Sequence, residues 1–541
     1  METIQITKQA ITGAVDFSEW KGRLETGDDT TEFYDRPGRN HYWLLAYLGS
    51  LYKGRNIIDI GTHKGSSALA LSYGGQNCIH TFDIEQRMSD AQRAKKWGGQ
   101  NIVQHYENLW DPEIRGAWEE TLLGSAFIFL DIDPHDGPME YEFYTWLREK
   151  NYQGFVVCDD IWYFKGMRDN FWYHIPAEHK IDCTLLGHWS GTGIFHFGGV
   201  SLSFETPWPI RKGASADSQK KKDWTVVTAY FNLTKRPDAS QAIKDRPQSY
   251  YLANANMTMA LDQNLVVFCD ADSYEPLKAL RPAHLAEKTR YILREFDEFD
   301  LVKNWYEKIR QDRLAKGYNA DPRNTVSYYL FCMLRYVMLR EVIDTNPFDS
   351  THFAWCNICI ERMSWKNGVV FPHLWNEYRD KFSTCYIDYQ PKKLTADLAE
   401  YYKWGRCGMC SGFFTGNKFY MGAFCDQVLA KFAQMASLGY GHADEQLFTL
   451  VYFQSPGIFE FYLGDYTEMI VNYGWVLDRP EEPVKNVMKN LWASGEKNWG
   501  LLYELADRWL QSYTHGTFSN GVESWAIEHA KYYLEEGKRY R

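Results

Sequence analysis

The sequence predicts an α/β protein made of two doubly wound, Rossmann-like domains and a C-terminal helical appendage. Three observations predict it. Short apolar runs alternate with helix-like text from residue 56 to residue 160, which implies a parallel sheet with helices on both faces. The alternation stops at ETPWPIRKGASADSQKKKD, residues 205–223, where prolines, small residues and a lysine run leave no hydrophobic period. Strand-like text restarts at WTVVTAYFNL, and beyond residue 480 the chain reads helical, as in NWGLLYELADRWLQSY and ESWAIEHAKYYLEEGKRYR. The expected divisions are a first domain over 1–205, a linker over 206–222, a second domain over 223–480 and a helical segment over 481–541.

In the first domain the expected strands are NIIDIG, CIHTFDIE, NIVQHYE, AFIFLDID and GFVVCDDIW, with helical text such as SSALALSYG and MEYEFYTWLREKN between them. Composition narrows the class of function. A length of 541 residues is too much for one ordinary domain. Aromatics at 16% suit sites that stack on rings and sugars, and burial alone accounts for much of such a content. A net charge of −11 argues against a nucleic-acid partner, which would call for a basic face. Scattered cysteines in apolar segments fit a reduced compartment. No signal-peptide text opens the chain and no apolar run is long enough to span a membrane, so the expected location is the cytoplasm.

The chemistry of the first domain gathers at its strand ends, where ligands of such folds sit. NIIDIGTHKGSSALALS ends a strand in Asp59 and turns through Gly61 and Gly65 to Ser66. A dinucleotide site would want G-x-G-x-x-G. This turn is D-x-G-x-x-x-G-x-S. It resembles the first motif of class I S-adenosylmethionine-dependent methyltransferases. That resemblance implies a cofactor held by Asp59, Gly61, Gly65 and Ser66, with Asp83 on the ribose hydroxyls and Asp131 beside it. FIFLDIDPHDG and GFVVCDDI then place Asp131, Asp133, His135, Asp136, Asp159 and Asp160 at neighbouring strand tips. Carboxylates so placed repel unless a cation lies between them. The pattern resembles metal-dependent O-methyltransferases of the catechol and macrocin type, which implies Asp131, Asp159 and Asp160 as ligands of Mg²⁺ or Mn²⁺. The metal would lower the pKa of a substrate hydroxyl, and His135 or Asp133 would take its proton. A lysine common after the fourth-strand acid in that family is replaced here by Ile132-Asp133-Pro134. DPHD does not match the Asn/Asp-Pro-Pro-aromatic motif of DNA amino-methyltransferases.

The second domain opens with TVVTAYFNL and continues through VVFCD with Arg281 downstream, FAWCNICI, SGFFTGNK, DEQLF and GDY. Together, in that order, these resemble the HtrL/YibB-like family of glycosyltransferases over about 223–475. The resemblance implies a GT-A fold with a nucleotide sugar near Thr228, Asp270, Arg281, Asn357 and Gly412, and with Asp444 and Glu445 on the acceptor side. The family's third-strand pattern, close to W-x-D-x-G, reads Trp355-Cys356-Asn357-Ile358-Cys359 here, so the acid is an amide. Asp444 and Glu445 also suit a plain helix N-terminus. The pairs Cys356/Cys359 and Cys407/Cys410 could hold zinc, although their separation is long and small buried cysteines are common in apolar strands.

The function expected from these residues is bifunctional glycan modification: O-methyl transfer from S-adenosylmethionine and sugar transfer from a nucleotide sugar to a glycan or glycoconjugate acceptor. Two readings compete with it. One is a methyltransferase whose second domain binds glycan without catalysis; the other is a scaffold of two degenerate nucleotide-binding folds. An NAD-dependent oxidoreductase is disfavoured by the glycine pattern.

Overall fold

The computed structural model describes residues 3–20, 24, 33–34, 38–188, 190–204, 223–316, 322–364, 367–375, 379–388, 390, 395–403, 408–441, 443–464, 466–467, 469–471, 473, 488, 491, 499–500, 502–503, 506–507, 510 and 524–539. The expected linker over 206–222, Cys407 of the second cysteine pair and the acid of GDY, Asp465, lie outside the described residues. The chain separates into two compact units, Met1–Pro209 and Ile210–Arg541.

In the first unit, β1 (Thr3–Ile6) pairs with β9 (Ser201–Phe204) in a small sheet of its own. The main sheet holds β2 (Asn56–Ile60), β3 (Cys78–Asp83), β4 (Ile102–Tyr106), β5 (Phe127–Leu130), β6 (Phe155–Cys158), β7 (Lys180–Asp182) and β8 (Gly193–His196). Their order is β4-β3-β2-β5-β6-β8-β7, and only β8 runs antiparallel. All five expected strands are present. The short runs FIFL and FVVC are buried at every position, as strands covered on both faces must be. The order reverses direction between β2 and β5, which opens a crevice at their carboxyl ends.

The second unit repeats the plan. It holds β10 (Trp224–Tyr230), β11 (Asn264–Cys269), β12 (Thr289–Leu293), β13 (His352–Cys356), β14 (Ser383–Tyr386), β15 (Met409–Asn417) and β16 (Tyr462–Leu463). The order is β12-β11-β10-β13-β15-β14-β16, with β15 alone antiparallel. Its switch point lies between β10 and β13. FAWCNICI is shorter as a strand than its apolar text suggests: β13 stops at Cys356 and the chain turns at Asn357, whose carbonyl accepts the Ile360 N–H at 3.0 Å. Helix α1 (Val326–Thr345) carries YLFCMLRYVMLREVI and is buried on most of its circumference. α2 (Lys418–Ser437) and α3 (Asp444–Gln454) pack beside it.

Each unit has its own core. The first gathers Leu44, Leu45, Ile57, Leu69, Phe127, Phe129 and Phe155. The second gathers Tyr336, Phe353, Trp355, Phe414, Phe424 and Phe448, so many of the aromatics are packing. Ala530 and Tyr533 of the C-terminal helix α4 (Ser524–Lys538) join this second core. Among the described residues no helix is long and apolar enough to cross a membrane.

Candidate functional site

The turn after β2 is built around two glycines. Gly61 has φ +102° and a Cβ there would stand 1.6 Å from the Asp131 carbonyl oxygen. Only glycine satisfies both conditions. Gly65, at φ +72°, is the residue before the helix Ser66–Leu71, and a Cβ would meet the Trp97 ring at 2.5 Å. Trp97 Nε1 donates to the Gly65 carbonyl at 3.0 Å, and Lys96 Nζ donates to Ser66 Oγ at 2.8 Å. Asp59 lies beneath the turn, fully buried. Its Oδ2 accepts from Thr81 Oγ1 at 2.6 Å and Ser67 Oγ at 3.2 Å, while Oδ1 has no partner. Burial pushes its carboxyl up to about 7, against the pull of those hydroxyls. Asp83, at the tip of β3, accepts the His63 N–H at 2.8 Å and the Glu85 N–H at 2.9 Å. The expected cofactor residues thus form one connected turn, with Asp59 and Ser66 bracing it from inside and Asp83 at its rim.

The strand-tip acids converge. Asp131, His135 and Asp160 place ligand atoms within 4.8 Å of one another, and so do Asp159, Asp160 and His188. His135 sits between two carboxylates, Nε2 3.3 Å from Asp133 and Nδ1 3.5 Å from Asp160, with its ring stacked on Phe164 at 4.6 Å. Asp160 holds a left-handed φ of +61° and His135 one of +55°, uncommon for such residues. Burial, then Asp159 and Asp160, then Asp59 and Asp133, push the Asp131 carboxyl well above the usual range. Burial and Asp159 push Asp160 up to about 6.

Two residues that the sequence did not single out complete the cluster. His188 Nδ1 is 3.1 Å from Asp159 Oδ2 and 2.6 Å from Ser190 Oγ; His41 Nε2 stands 3.9 Å from the same Asp159 oxygen. Burial lowers His41 to about 4, against the pull of Asp159. Although burial opposes it, the histidines hold Asp159 below the usual carboxylate range, and His188 is the partner in hydrogen-bond contact. Both histidines come from segments without a motif, a helix over Gly38–Ser50 and a loop before β8. No spacing in the sequence connects them to Asp159. The donor set fits a hard or borderline divalent ion: carboxylates with two imidazoles at the rim, and a buried Asp159 Oδ1 that no hydrogen bond satisfies.

In the second unit, β15 joins two of the expected groups. Asn357 N–H donates to the Gly412 carbonyl at 2.9 Å, and the Asn357 amide nitrogen is 3.3 Å from where a Gly412 Cβ would be. Ser411, the next residue back, donates to Glu445 at 3.2 Å and Asp444 at 3.3 Å. Glu445 also accepts from Tyr466 at 3.4 Å and is half-buried. Asp444 is interior: it accepts from Arg335 at 2.9 Å and Tyr336 at 2.8 Å and is 2% exposed. The carboxylate expected on the acceptor side is therefore half of a buried ion pair. Arg335 lies in the apolar text of α1 and was not legible as its partner.

Three other expected residues lie within the second unit's own packing and hydrogen bonding. Thr228 is fully buried within β10. Arg281 is 8% exposed and spends its guanidinium on the Met259, Leu261 and Gln263 carbonyls and on Thr289 Oγ1, tying down the loop before β11. Asp270 caps the helix Ala271–Leu280 through Ser273 N–H at 3.0 Å and accepts Asn232 N–H at 2.7 Å. Asp272, the second acid of CDAD, is exposed and paired with Lys235. Cys356 ends a strand and Cys359 lies in the turn beyond it; Cys410 is fully buried in β15.

Residues 222–473 match the family described as a bacterial protein of unknown function, HtrL_YibB. Among solved structures the chain is similar to mouse xyloside xylosyltransferase 1 in its apo form, at 14% identity over 44% of this chain and 84% of that chain, with a TM-score of 0.27. It is also similar to the O-methyltransferase TomG from Streptomyces achromogenes in complex with SAM, at 17% identity over 36% of this chain and 91% of that chain, with a TM-score of 0.22. Cofactor-bound Rv0187 from MTB matches at 16% identity over 35% of this chain and 90% of that chain, with a TM-score of 0.23. No curated protein matches the chain.

Proposed function

From a second unit that carries the HtrL_YibB region and a first unit with a glycine turn against a carboxylate cluster, we propose a bifunctional transferase of glycan assembly. The first unit moves a methyl group from S-adenosylmethionine to a substrate hydroxyl, and the second moves sugar from a nucleotide sugar to a glycan or glycoconjugate. The observation that supports methyl transfer most is the contact of the Gly61 turn with Asp131, which sets the cofactor loop against the acids.

Asp83 would accept from the ribose hydroxyls with the lone pairs its backbone partners leave open. Asp131, Asp159 and Asp160 would hold Mg²⁺ or Mn²⁺, Asp160 being the acid common to the group with Asp131 and His135 and the group with Asp159 and His188. S-adenosylmethionine supplies an electrophilic methyl, and a divalent ion supplies the charge that lowers the pKa of a hydroxyl. A substrate oxygen would take the methyl group as the S–CH₃ bond breaks, and its proton would pass to His135, whose Nε2 lies 3.3 Å from Asp133.

In the second unit Asn357 and Gly412 would line the donor and Glu445 the acceptor. Asp444 would act from beneath through Ser411. A second reading, glycan binding without transfer, draws support from Asn357 standing where the family has an acid and from Asp444 being enclosed.

The test incubates the full chain with S-adenosylmethionine, a nucleotide-sugar panel and glycan acceptors, with products read by mass. Asp160→Asn should abolish methyl transfer while S-adenosylhomocysteine still binds in calorimetry. Full methyl transfer in excess chelator would remove the metal, and NAD binding at the Gly61 turn would overturn the cofactor. If sugar is neither transferred nor hydrolysed while glycan binds, the second reading stands.

A further inference from the structure

The acids at the tips of β5 and β6 fall into two groups of three ligating residues. Asp131, His135 and Asp160 bring ligand atoms within 4.8 Å of one another, and Asp159, Asp160 and His188 do the same. Asp160 belongs to both. In the first group His135 Nδ1 is 3.5 Å from Asp160 Oδ2. In the second His188 Nδ1 is 3.1 Å from Asp159 Oδ2. Neighbouring ligands on one ion stand about 3 Å apart when its bonds are about 2.1 Å long.

Backbone pairing fixes both groups. Asp131 N–H donates to the Ile60 carbonyl at 2.9 Å and Asp159 N–H to the Leu130 carbonyl at 3.2 Å, so the strand tips are set by the sheet. The loop that carries His188 is laced to the chain just beyond Asp160. Ile161 N–H donates to the Gly191 carbonyl at 3.2 Å and Trp162 N–H to the Ser190 carbonyl at 3.0 Å. His188 N–H donates to Thr192 Oγ1 at 2.7 Å. Gly191 has φ +118°, and a Cβ there would stand 2.6 Å from the Trp162 nitrogen, so the loop comes this close only with glycine.

One observation asks for an ion in the second group in particular. Asp159 is 6% exposed, and its Oδ1 meets no hydrogen-bond partner among the described residues. A buried carboxylate oxygen without a donor is costly. The close approaches of His188 and His41 are to Oδ2. Asp159 is not a member of the first group, so an ion there leaves Oδ1 as it is. It also leaves three enclosed carboxylates, Asp131, Asp159 and Asp160, around a single divalent charge.

We propose that the first unit binds two divalent ions, the second held by Asp159, Asp160 and His188 and joined to the first through the Asp160 carboxylate. The first lies between Asp131 and Asp160; two carboxylates with water are enough for such an ion. His135, the proton acceptor named above, stands beside it. This inference rests on the metal-dependent methyl-transfer reading and deepens it. The two sites differ in character. Asp131 and Asp160 offer oxygen, which suits Mg²⁺ or Mn²⁺, whereas His188 adds an imidazole, which shifts preference toward Zn²⁺ or Fe²⁺. Two divalent ions against three carboxylates leave a positive surplus for an ionised substrate hydroxyl.

The test strips the full chain of metal and titrates Mn²⁺ back, with stoichiometry read by calorimetry and coupling by electron paramagnetic resonance. Two ions bridged by one carboxylate give an exchange-coupled spectrum; ions in separate sites do not. Wild type should show the coupled signal. His188→Ala should lose one bound Mn²⁺ and the coupled signal, keep an isolated-ion signal, and bind S-adenosylhomocysteine within about twofold of wild type. Asp131→Asn, on the opposite side of the bridge, should likewise leave an isolated ion and tests the pair independently. Asp160→Asn should weaken both ions by about tenfold or more. Isolated-ion signals alone in wild type overturn the inference and leave a one-ion methyltransferase standing. A coupled signal that survives in both His188→Ala and Asp131→Asn also overturns it. No Mn²⁺ binding, or binding that Asp160→Asn leaves unchanged, overturns the metal reading of this unit, and this inference with it.

Discussion

At residue 61 a single methyl group has nowhere to go. The Asp131 carbonyl occupies its place at 1.6 Å, and φ is +102°. Gly61→Ala must both push back a strand end and adopt a strained backbone, which together cost about 3 kcal/mol or more. The expected outcome is an unfolding free energy of the first unit, from urea titration, lowered by that amount and no measurable heat of S-adenosylhomocysteine binding; wild-type affinity in the variant would show that the turn does not hold the cofactor. This glycine was legible because the pattern D-x-G-x-x-x-G places it directly after a strand. The acids at 131, 159 and 160 were legible for the same reason. His41 and His188 were not, since a histidine in a helix and another in a loop carry no spacing that ties them to a distant strand tip. Asn357 was visible as a departure, but the direction of its amide is fixed by an indole two residues away and could be known only from the packing.

Helix α3 begins with two acids of different fate. Glu445 reaches the crevice, while Asp444 is locked to Arg335 of α1 at 2.9 Å with both side chains nearly enclosed. Helix text marks both as first-turn acids. Which one turns inward depends on the partner, and the partner sits in a stretch so apolar that a charge there reads as incidental. Asp444→Ala leaves a guanidinium buried without a counter-charge, which costs about 3–5 kcal/mol. We expect the second unit's unfolding transition to fall accordingly in circular dichroism, whereas Asp444→Leu with Arg335→Met restores most of the loss. A variant as stable as wild type would mean that the pair contributes little. Loss of sugar transfer in Asp444→Ala alone therefore does not mark Asp444 as a catalytic residue; Glu445→Gln, whose residue is half-buried, is the sharper probe. Among the strands, the five runs of the first unit were legible from alternation and flanking turns. β7, only Lys180–Asp182, is too short to carry a period.

Across the first unit, the charge pattern sets a dependence on pH. Asp59 at about 7, Asp160 at about 6 and the raised Asp131 all titrate higher folded than unfolded. Their contribution to stability is complete below the unfolded carboxylate range and is lost as pH rises through 6 to 7. Buried histidines act the other way. His41 at about 4, with His80, His105 and His196 also lowered, costs stability as pH falls below the ordinary histidine value. In chelator, calorimetry should therefore show the first unit's melting temperature rising from pH 8 to about 6.5 and then levelling or falling. Added Mn²⁺ should raise it more at pH 8 than at 6.5, where protons compete for the same oxygens. A steady fall from pH 8 to 6.5 in chelator would contradict the buried-acid picture. The two-part plan of the chain was legible from a lysine- and proline-bearing interruption, and the like topology of the two sheets was not, because strand order is a property of pairing and leaves no mark in local text. The close fit of Gly61 against Asp131 has one more consequence, for ancestry. Any relative that carries a side chain at 61 has also displaced the acid on the neighbouring strand, so this one position works as a marker. A lineage that keeps this strand pairing must keep glycine there, whatever chemistry its crevice performs.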